Sequence, residues 1–302
     1  QLNDSTWLRM DVNQYGSDGH VDRMDQESTN VTSSVLWKAT ETLDVEFQID
    51  YLDDRLADYW GTPLVPKGVA ISPLNDVVST SNGETLDEQA RFRNFNVQDS
   101  RAVSDQLLFR IDLSWQLTED IELKNTSYRF AADRDWGNAE GYVYCTEVVD
   151  VCTETGVIQR YYGYFFVTHD QDLLGNRLTA NINSQIGGHD NRFLAGLELT
   201  DLDFSRARGF RRKIPLAAND SVSPINPLSS SYGQRELRGV SPTEINTRAL
   251  FFEDALDLSE TVKVVAAVRY EELDLMRQNF NASGEIEASS FSRDFDWLSW
   301  RL

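Results

Sequence analysis

Long apolar runs are missing from this sequence of 302 residues. No stretch approaches the roughly eighteen consecutive apolar residues that a membrane-spanning helix needs, so a transmembrane helix is excluded. A membrane-spanning β-barrel stays possible, because its strands need only about ten residues each, alternate in polarity and leave no hydropathy peak. Helix signals are also nearly absent along the chain.

Basic residues and soft metal ligands are scarce. The chain has 28 Lys and Arg against 49 Asp and Glu, a net charge of -21, so no nucleic-acid partner is expected. Three His and two Cys argue against a metal enzyme built on imidazole and thiolate ligands. No nucleophile elbow, zinc-protease, phosphate-loop or dinucleotide motif occurs, so we expect neither an enzyme nor a resident metal.

The two cysteines, Cys145 and Cys152, lie close together in a stretch rich in Asp, Glu, Thr and Val. This spacing favours a local disulfide formed in an oxidising compartment such as the periplasm. The alternative is a pair of free thiols in a cytosolic loop. The opening QLNDSTWLRM lacks the basic start and apolar core of a signal peptide. Either a signal was removed or the chain begins in mid-protein, and we favour the second.

Period-2 alternation dominates the sequence. Leu43, Val45, Phe47, Ile49 and Tyr51 share one face of a predicted strand, and acidic or amide side chains fill the other. The same alternation starts at Leu107 and at Val262, and weaker versions bring the total to about ten strands. The weaker segments are residues 5–13, 30–38, 121–133, 177–186, 192–204, 244–258 and 289–302.

Short and long connections follow each other in strict order. The short ones are residues 39–43, 118–121, 187–192 and 259–262; the long ones are 14–28, 53–103, 134 to about 161, 205–243 and 278–288. This sorting places every turn at one end of the sheet, as in outer-membrane barrels, where the apolar face meets lipid and the polar face lines the lumen. Trp37, Trp115 and Tyr51 near strand ends fit an aromatic girdle or, equally, core packing. Ten strands would close a narrow barrel, so residues 1–302 are interpreted as one partial barrel domain.

Four segments resemble the TonB-dependent siderophore receptors. DYWGTPLVP (58–66) is similar to their first large extracellular loop, and ELKNTSYRF (122–130) to a barrel strand. FLAGLELTDLDF (193–204) and RALFFEDALDLSETVKVVAAVRYEELDL (248–275) are similar to a further strand and a hairpin. Two departures, Phe252-Glu253-Asp254 for a common Gln-Asp and Ala267 for a common Gly, leave the fold untouched.

The resemblance implies an all-β, antiparallel transmembrane barrel, of which this chain supplies about ten of 22 strands. It implies a Gram-negative outer-membrane receptor that binds a ferric siderophore outside, needs no cofactor, and imports its ligand with energy from the TonB complex. The plug domain that contacts TonB is expected to lie outside this sequence. Outer-membrane lipid and lipopolysaccharide are the expected surroundings.

Aromatic and basic residues in the long loops are the predicted ligand contacts, because aromatic rings give apolar contact and polar groups fix orientation. Each could instead pack its own loop or belong to the girdle, and the arginines could pair with carboxylates or lipopolysaccharide phosphates. The residues are Tyr59, Trp60, Trp136, Tyr142, Tyr144, Tyr161, Tyr162, Tyr164, Phe210, Arg211 and Arg212.

Other functions stay open at this point. A related plugged barrel could carry cobalamin or a glycan. A passive porin would show a constriction of opposed charges, and a barrel enzyme such as a phospholipase would show a Ser-His pair. A soluble β-sandwich with acidic loops is the remaining alternative.

Overall fold

An antiparallel sheet dominates the computed structural model. The structure describes residues 1–78, 80–149, 151–161, 165–211, 221–227 and 233–302, with only the backbone of Tyr161 and Arg211. Ten long strands build the sheet: β1 (Thr6–Ser17), β2 (Gln26–Lys38), β3 (Leu43–Arg55), β6 (Arg101–Gln116), β7 (Ile121–Asn138), β10 (Phe165–Ile186), β11 (His189–Arg211), β13 (Arg235–Ser259), β14 (Val262–Arg277) and β16 (Phe291–Arg301). The short strands are β4 (Val65–Pro66), β5 (Glu84–Thr85), β8 (Gly141–Tyr144), β9 (Ile158–Tyr161), β12 (Ser221–Val222) and β15 (Phe280–Asn281), and a 3-10 turn spans Glu88–Ala90.

The order of strands in the sheet follows the order in the chain. It runs β1-β2-β3-β6-β7-β10-β11-β13-β14-β16, and β15 pairs beside it with β13. Each pair is antiparallel, as consecutive strands joined by turns require. The predicted all-β architecture with about ten alternating strands is confirmed.

Several strands are longer than their alternation predicted, mainly at the ends that carry the long connections. β10 begins at Phe165, and β11 continues to Arg211. β13 begins at Arg235, inside the predicted loop of residues 205–243. In the extension of β10, Phe165, Val167 and Leu173 lie on the face opposite to Leu174 and Leu178, and the extensions of β11 and β13 contain arginines and small residues. The period-2 signal is therefore broken there although the backbone stays extended.

The two faces of the sheet differ in exposure. On β13, Leu250 and Phe252 are 49% and 43% exposed, whereas Ala249 and Phe251 are 2% and 9% exposed. Side chains crowd on the inside of a curved sheet, so Ala249 and Phe251 mark the concave face and Leu250 and Phe252 the convex face. Near the short turns, exposed apolar side chains therefore cover the convex face, as a lipid-facing surface would require.

Ion pairs and cation–π contacts occupy the concave face at that level. Arg269 bonds to Glu198 at 3.1 Å and also pairs with Glu271. The Phe251 ring lies beneath the guanidinium groups of Arg177 and Arg269, at 4.9 and 5.6 Å. The alternation of the strands thus separates an apolar outside from a polar inside.

Polarity reverses toward the long connections. There the convex face carries Asp172, Asp203 and Glu244 in one cross-strand row. The adjacent concave row is apolar and consists of Leu108, Phe130, Leu173, Leu202, Ile245 and Leu275. At this level, which begins the end with the long connections (called the loop end below), acidic side chains therefore lie on the convex face and apolar side chains on the concave face.

The long connections form a small folded unit of their own. Strands β12, β9 and β8 make one sheet, and β4 and β5 make another. Their shared core contains Val65, Ala90, Phe95, Ile158 and Val222. Among the described residues, no helix is long and apolar enough to cross a membrane.

Candidate ligand-binding site

Four aromatic rings form a connected group at the loop end of the sheet, called the aromatic cluster here. Trp60 contacts Trp136 with ring centroids 5.8 Å apart, Trp136 contacts Phe165 at 5.9 Å, and Phe165 contacts Phe210 at 5.5 Å. Phe165 pairs directly with Phe210 across β10 and β11, and Trp136 of β7 pairs with Val167. By strand alternation all three strand-borne rings lie on the concave face.

The 56–100 connection supplies the fourth ring, and hydrogen bonds from side chains to backbone carbonyls hold it. The Trp60 indole Nε1 donates to the carbonyl of Glu140 at 2.8 Å. The Asn96 amide Nδ2 donates to the carbonyl of Asp58 at 2.7 Å. Trp60 is 49% exposed and Phe210 is 42% exposed, so two rings of the aromatic cluster keep open surface for a ligand.

Two arginines brace the segment that positions Trp60. Arg160, which is 1% exposed, donates from Nε to the Phe95 carbonyl at 2.6 Å. Arg23 donates from Nη2 to the carbonyls of Asn94 and Asn96 at 2.7 and 3.0 Å. Backbone carbonyl oxygens thus accept these hydrogen bonds, and the loop is tied to two other connections.

Two carboxyl groups in the connections beside Trp60 have raised pKa values. Burial raises the pKa of Asp58 to about 6, against the lowering effect of a Ser100 hydrogen bond and of nearby arginines. Burial also raises the pKa of Glu140. Desolvation therefore works against negative charge in the two connections that meet at Trp60.

Arginines that the sequence reasoning did not select continue the site along β11. Arg206 and Arg208 precede Phe210 at alternate positions and therefore share its concave face. Together with Arg238 and Arg277 they line a cavity of about 260 Å³, called the arginine cavity here. The segment Ser205-Arg-Ala-Arg already shows the alternation that places two arginines on one face.

The other predicted contacts are spread over the loops. Tyr59 shares a hydrogen bond of 2.6 Å with the Thr62 hydroxyl. Tyr142 and Tyr144 pack against the loop core, so much of their surface is committed to that core. Tyr161 and Arg211 end strands β9 and β11. Tyr162, Tyr164 and Arg212 lie outside the described residues.

The two cysteines form a disulfide, Cys145–Cys152, with their Cα atoms 5.6 Å apart. Both cysteines are buried, at 1% and 3% exposure. The bond closes a tight hairpin next to β8, the strand that carries Tyr142 and Tyr144. Within the part of the chain that the structure describes, no group of three or more His, Cys, Asp or Glu could hold a metal ion.

The arrangement can bind a ligand with two kinds of surface. Stacked or edge-on aromatic rings offer apolar contact at low entropic cost, and guanidinium groups offer paired donors to oxygen atoms. The aromatic cluster and the arginine cavity meet at β11 through Phe210, Arg208 and Arg206. A ligand lying along this strand could touch both.

Comparisons with known proteins agree with this architecture. The sequence model of the family described as "TonB dependent receptor-like, beta-barrel" matches residues 14–302. Among curated protein sequences, none matches the chain.

Solved structures share the fold at low sequence identity. The open form of the ferric-catecholate import receptor Fiu from E. coli K12 superposes with a TM-score of 0.78 at 12% identity, covering 99% of this chain and 48% of that one. The siderophore receptor PiuA from Acinetobacter baumannii gives 0.69 at 13%, covering 99% and 43%. BauA, the ferric preacinetobactin receptor from the same organism, gives 0.67 at 12%, covering 99% and 40%. The chain therefore spans less than half the length of these proteins.

Proposed function

The chain belongs to the family of TonB-dependent receptors, and on that basis we propose that the protein binds ferric siderophores for import across the outer membrane. β-Barrels of this family reside in the outer membrane of Gram-negative bacteria. In the proposal, the ligand binds at the loop end of the barrel, on the concave face. Its passage is driven by energy that reaches the receptor through TonB.

The aromatic cluster is the observation that carries this proposal. Trp60, Trp136, Phe165 and Phe210 join a loop to three consecutive strands on the concave face of the sheet. Metal chelates of this class present flat or apolar ligand arms around a polar centre, which suits aromatic walls with donors close by. Three structural neighbours with 40–48% of their length covered are described as receptors for ferric catecholates, siderophores or ferric preacinetobactin, which supports the choice of cargo.

The test is a titration of the purified receptor in detergent with a ferric tris-catecholate, a ferric citrate complex and a ferric tris-hydroxamate. Quenching of tryptophan fluorescence reports binding, since Trp60 and Trp136 lie in the aromatic cluster. We expect at least one chelate to bind. Trp60→Ala should raise its Kd roughly tenfold to hundredfold, the effect of removing an anchoring aromatic side chain.

Trp37→Ala is the matched control. Trp37 is also about half exposed (45%) but lies at the turn end of β2, opposite Thr6 of β1. Its replacement should leave the Kd unchanged. The proposal fails if none of the three chelates binds, and the aromatic cluster is the wrong site if Trp60→Ala and Trp37→Ala bind alike.

A further inference from the structure

The arginine cavity has an unusual set of walls for a chain that carries a net charge of -21. Arg206, Arg208, Arg238 and Arg277 line it together with the neutral polar residues Ser241, Asn279 and Ser289. Glu287 is its one acidic lining residue among those described. Four guanidinium groups outnumber Glu287 and the Arg238 partner Glu236, so a local excess of positive charge remains.

Most of these arginines are not neutralised by the protein. Arg238 pairs with Glu236 at 3.4 Å. Arg277 donates from Nε to the Asn279 side-chain oxygen at 3.2 Å, which is a neutral partner. Arg206 has a buried Nε atom without a hydrogen-bond partner. Neither Arg206 nor Arg208 forms a salt bridge with any residue that the structure describes, and such desolvated donors favour an external acceptor.

A β-bulge in β13 adds Arg238 to the arginines that line the cavity. The β11–β13 register shifts between Arg208 and Gly209, so that Arg238 is an extra residue on β13. The chains approach closely there: a Cβ on Gly209 would lie 2.1 Å from the Glu236 carbonyl oxygen. Bulges redirect side chains locally, and here the extra residue brings a fourth arginine to the cavity.

Charge is sorted between the faces of the surrounding strands. From the Leu173 row toward the loop end, the concave positions of β10, β11, β13 and β14 carry one carboxylate, Glu236, among the described residues. The convex positions of the same stretch carry four: Asp170, Asp172, Asp203 and Glu244. A concave wall of one sign concentrates ions of the other sign, so this wall attracts anions.

We propose that the ferric siderophore bound by this protein is anionic and that its negatively charged oxygens bind in the arginine cavity while its arms contact the aromatic cluster. This inference rests on the proposed function and specifies its substrate class. Planar guanidinium groups donate paired hydrogen bonds to oxygen anions, whether these belong to carboxylates or to catecholates. A neutral tris-hydroxamate complex would bring no negative charge to Arg206, Arg208 and Arg277.

The experiment repeats the three titrations with Arg206→Gln and Arg277→Gln in the purified receptor, at 50 and 500 mM salt. We expect the anionic chelate, catecholate or citrate, to bind at least tenfold more tightly than the neutral tris-hydroxamate. Each substitution should raise the Kd of that anionic chelate roughly tenfold. In the parent protein, high salt should weaken the binding of the anionic chelate. Which anionic chelate binds more tightly identifies the source of the charge.

Arg248→Gln is the control, because it removes the same charge from an exposed convex position of β13. It should leave every Kd unchanged, and both cavity variants should match the parent protein in their unfolding midpoint. Equal or tighter binding of the neutral chelate overturns this inference and leaves the siderophore function standing. An unchanged Kd for both cavity variants also overturns it. Failure of all three chelates to bind overturns the function itself.

Discussion

Four aspartates lie side by side on the convex face, one on each of four neighbouring strands. Asp53 pairs with Asp105, Asp105 with Asp133, and Asp133 with Asp170. Directly opposed side chains in an antiparallel sheet are about 5 Å apart, and like charges at that distance repel. Two residues along β7, Asp135 has the opposite surroundings: it bonds to Arg101 at 2.9 Å and Arg235 at 2.8 Å.

The different surroundings of Asp133 and Asp135 predict opposite effects of their substitution on the free energy of unfolding. Asp133→Asn should raise the free energy of unfolding by about 0.5 kcal/mol, because it removes repulsion from both sides. Asp135→Asn should lower it by about 1–2 kcal/mol, because two partly exposed arginines lose their shared partner. Urea unfolding in detergent at low salt measures both. If Asp133→Asn destabilised the protein, the negative charge of the four aspartates would have to be balanced by a group outside the protein.

Individual site residues were predictable where they carried an aromatic signal. Trp60, Trp136 and Phe210 were selected from the sequence, and the structure brings them together through Phe165. Phe165 was missed because it lies between the predicted loop, which ends at about residue 161, and the predicted strand, which begins at residue 177. The arginine cavity was missed because its members come from three strands that are far apart in sequence, and only the register places them together.

At the scale of elements, alternation predicted the strands wherever one face is apolar throughout. β3 and β14 show this along most of their length. It underestimated β10, β11 and β13, where the apolar residues Leu173, Leu202 and Ile245 lie on the concave side and the neighbouring acidic residues lie on the convex side. A single period-2 pattern assumes one inside and one outside, and these strands cross from a lipid-facing level to a water-facing level.

The connection of residues 56–100 should be sensitive to pH through Asp58. The folded protein raises the pKa of this carboxyl to about 6, above its ordinary value near 4, so folding favours the protonated form. The resulting stabilisation is complete below about pH 4 and is lost as the pH rises through 6. Asp58→Asn should therefore stabilise the protein at pH 7.5, on the order of 1 kcal/mol after allowing for screening, and have little effect at pH 4.5.

The unfolding midpoints of the parent protein and of Asp58→Asn at pH 7.5 and 4.5 measure this stabilisation. Comparing the two proteins at each pH cancels the effects of pH on other groups. Asp76→Asn, an exposed position in the same connection, is the control and should change neither midpoint. An Asp58→Asn effect of equal size at both pH values would contradict the assigned cause.

At the scale of the whole molecule, the convex face changes from apolar to acidic along each strand, and this gives a test of membrane placement. Leu250 and Glu244 lie on the convex face of the same strand, six positions apart, and both are exposed. In a soluble protein, arginine at either position would be tolerated. In a barrel that crosses a membrane, Leu250→Arg should cost about 2–4 kcal/mol and Glu244→Arg close to nothing.

Urea unfolding of the refolded receptor in lipid vesicles gives both values. Equal tolerance of Leu250→Arg and Glu244→Arg would place the apolar band outside the lipid and contradict the membrane assignment.

Fold class and connection pattern could be predicted at this scale because both depend on periodicity. The polarity change with height could not, since it requires knowing which strand positions share a level.

The alternation of short turns and long connections also has a kinetic consequence. Closing a loop costs free energy that grows with the logarithm of its length, so a connection roughly ten times longer costs about 2 kcal/mol more to close. Short turns join four strand pairs, which should form first as independent hairpins: β2–β3, β6–β7, β10–β11 and β13–β14. The pairs β3–β6 and β11–β13, across long connections, would then join preformed hairpins, so assembly proceeds two strands at a time.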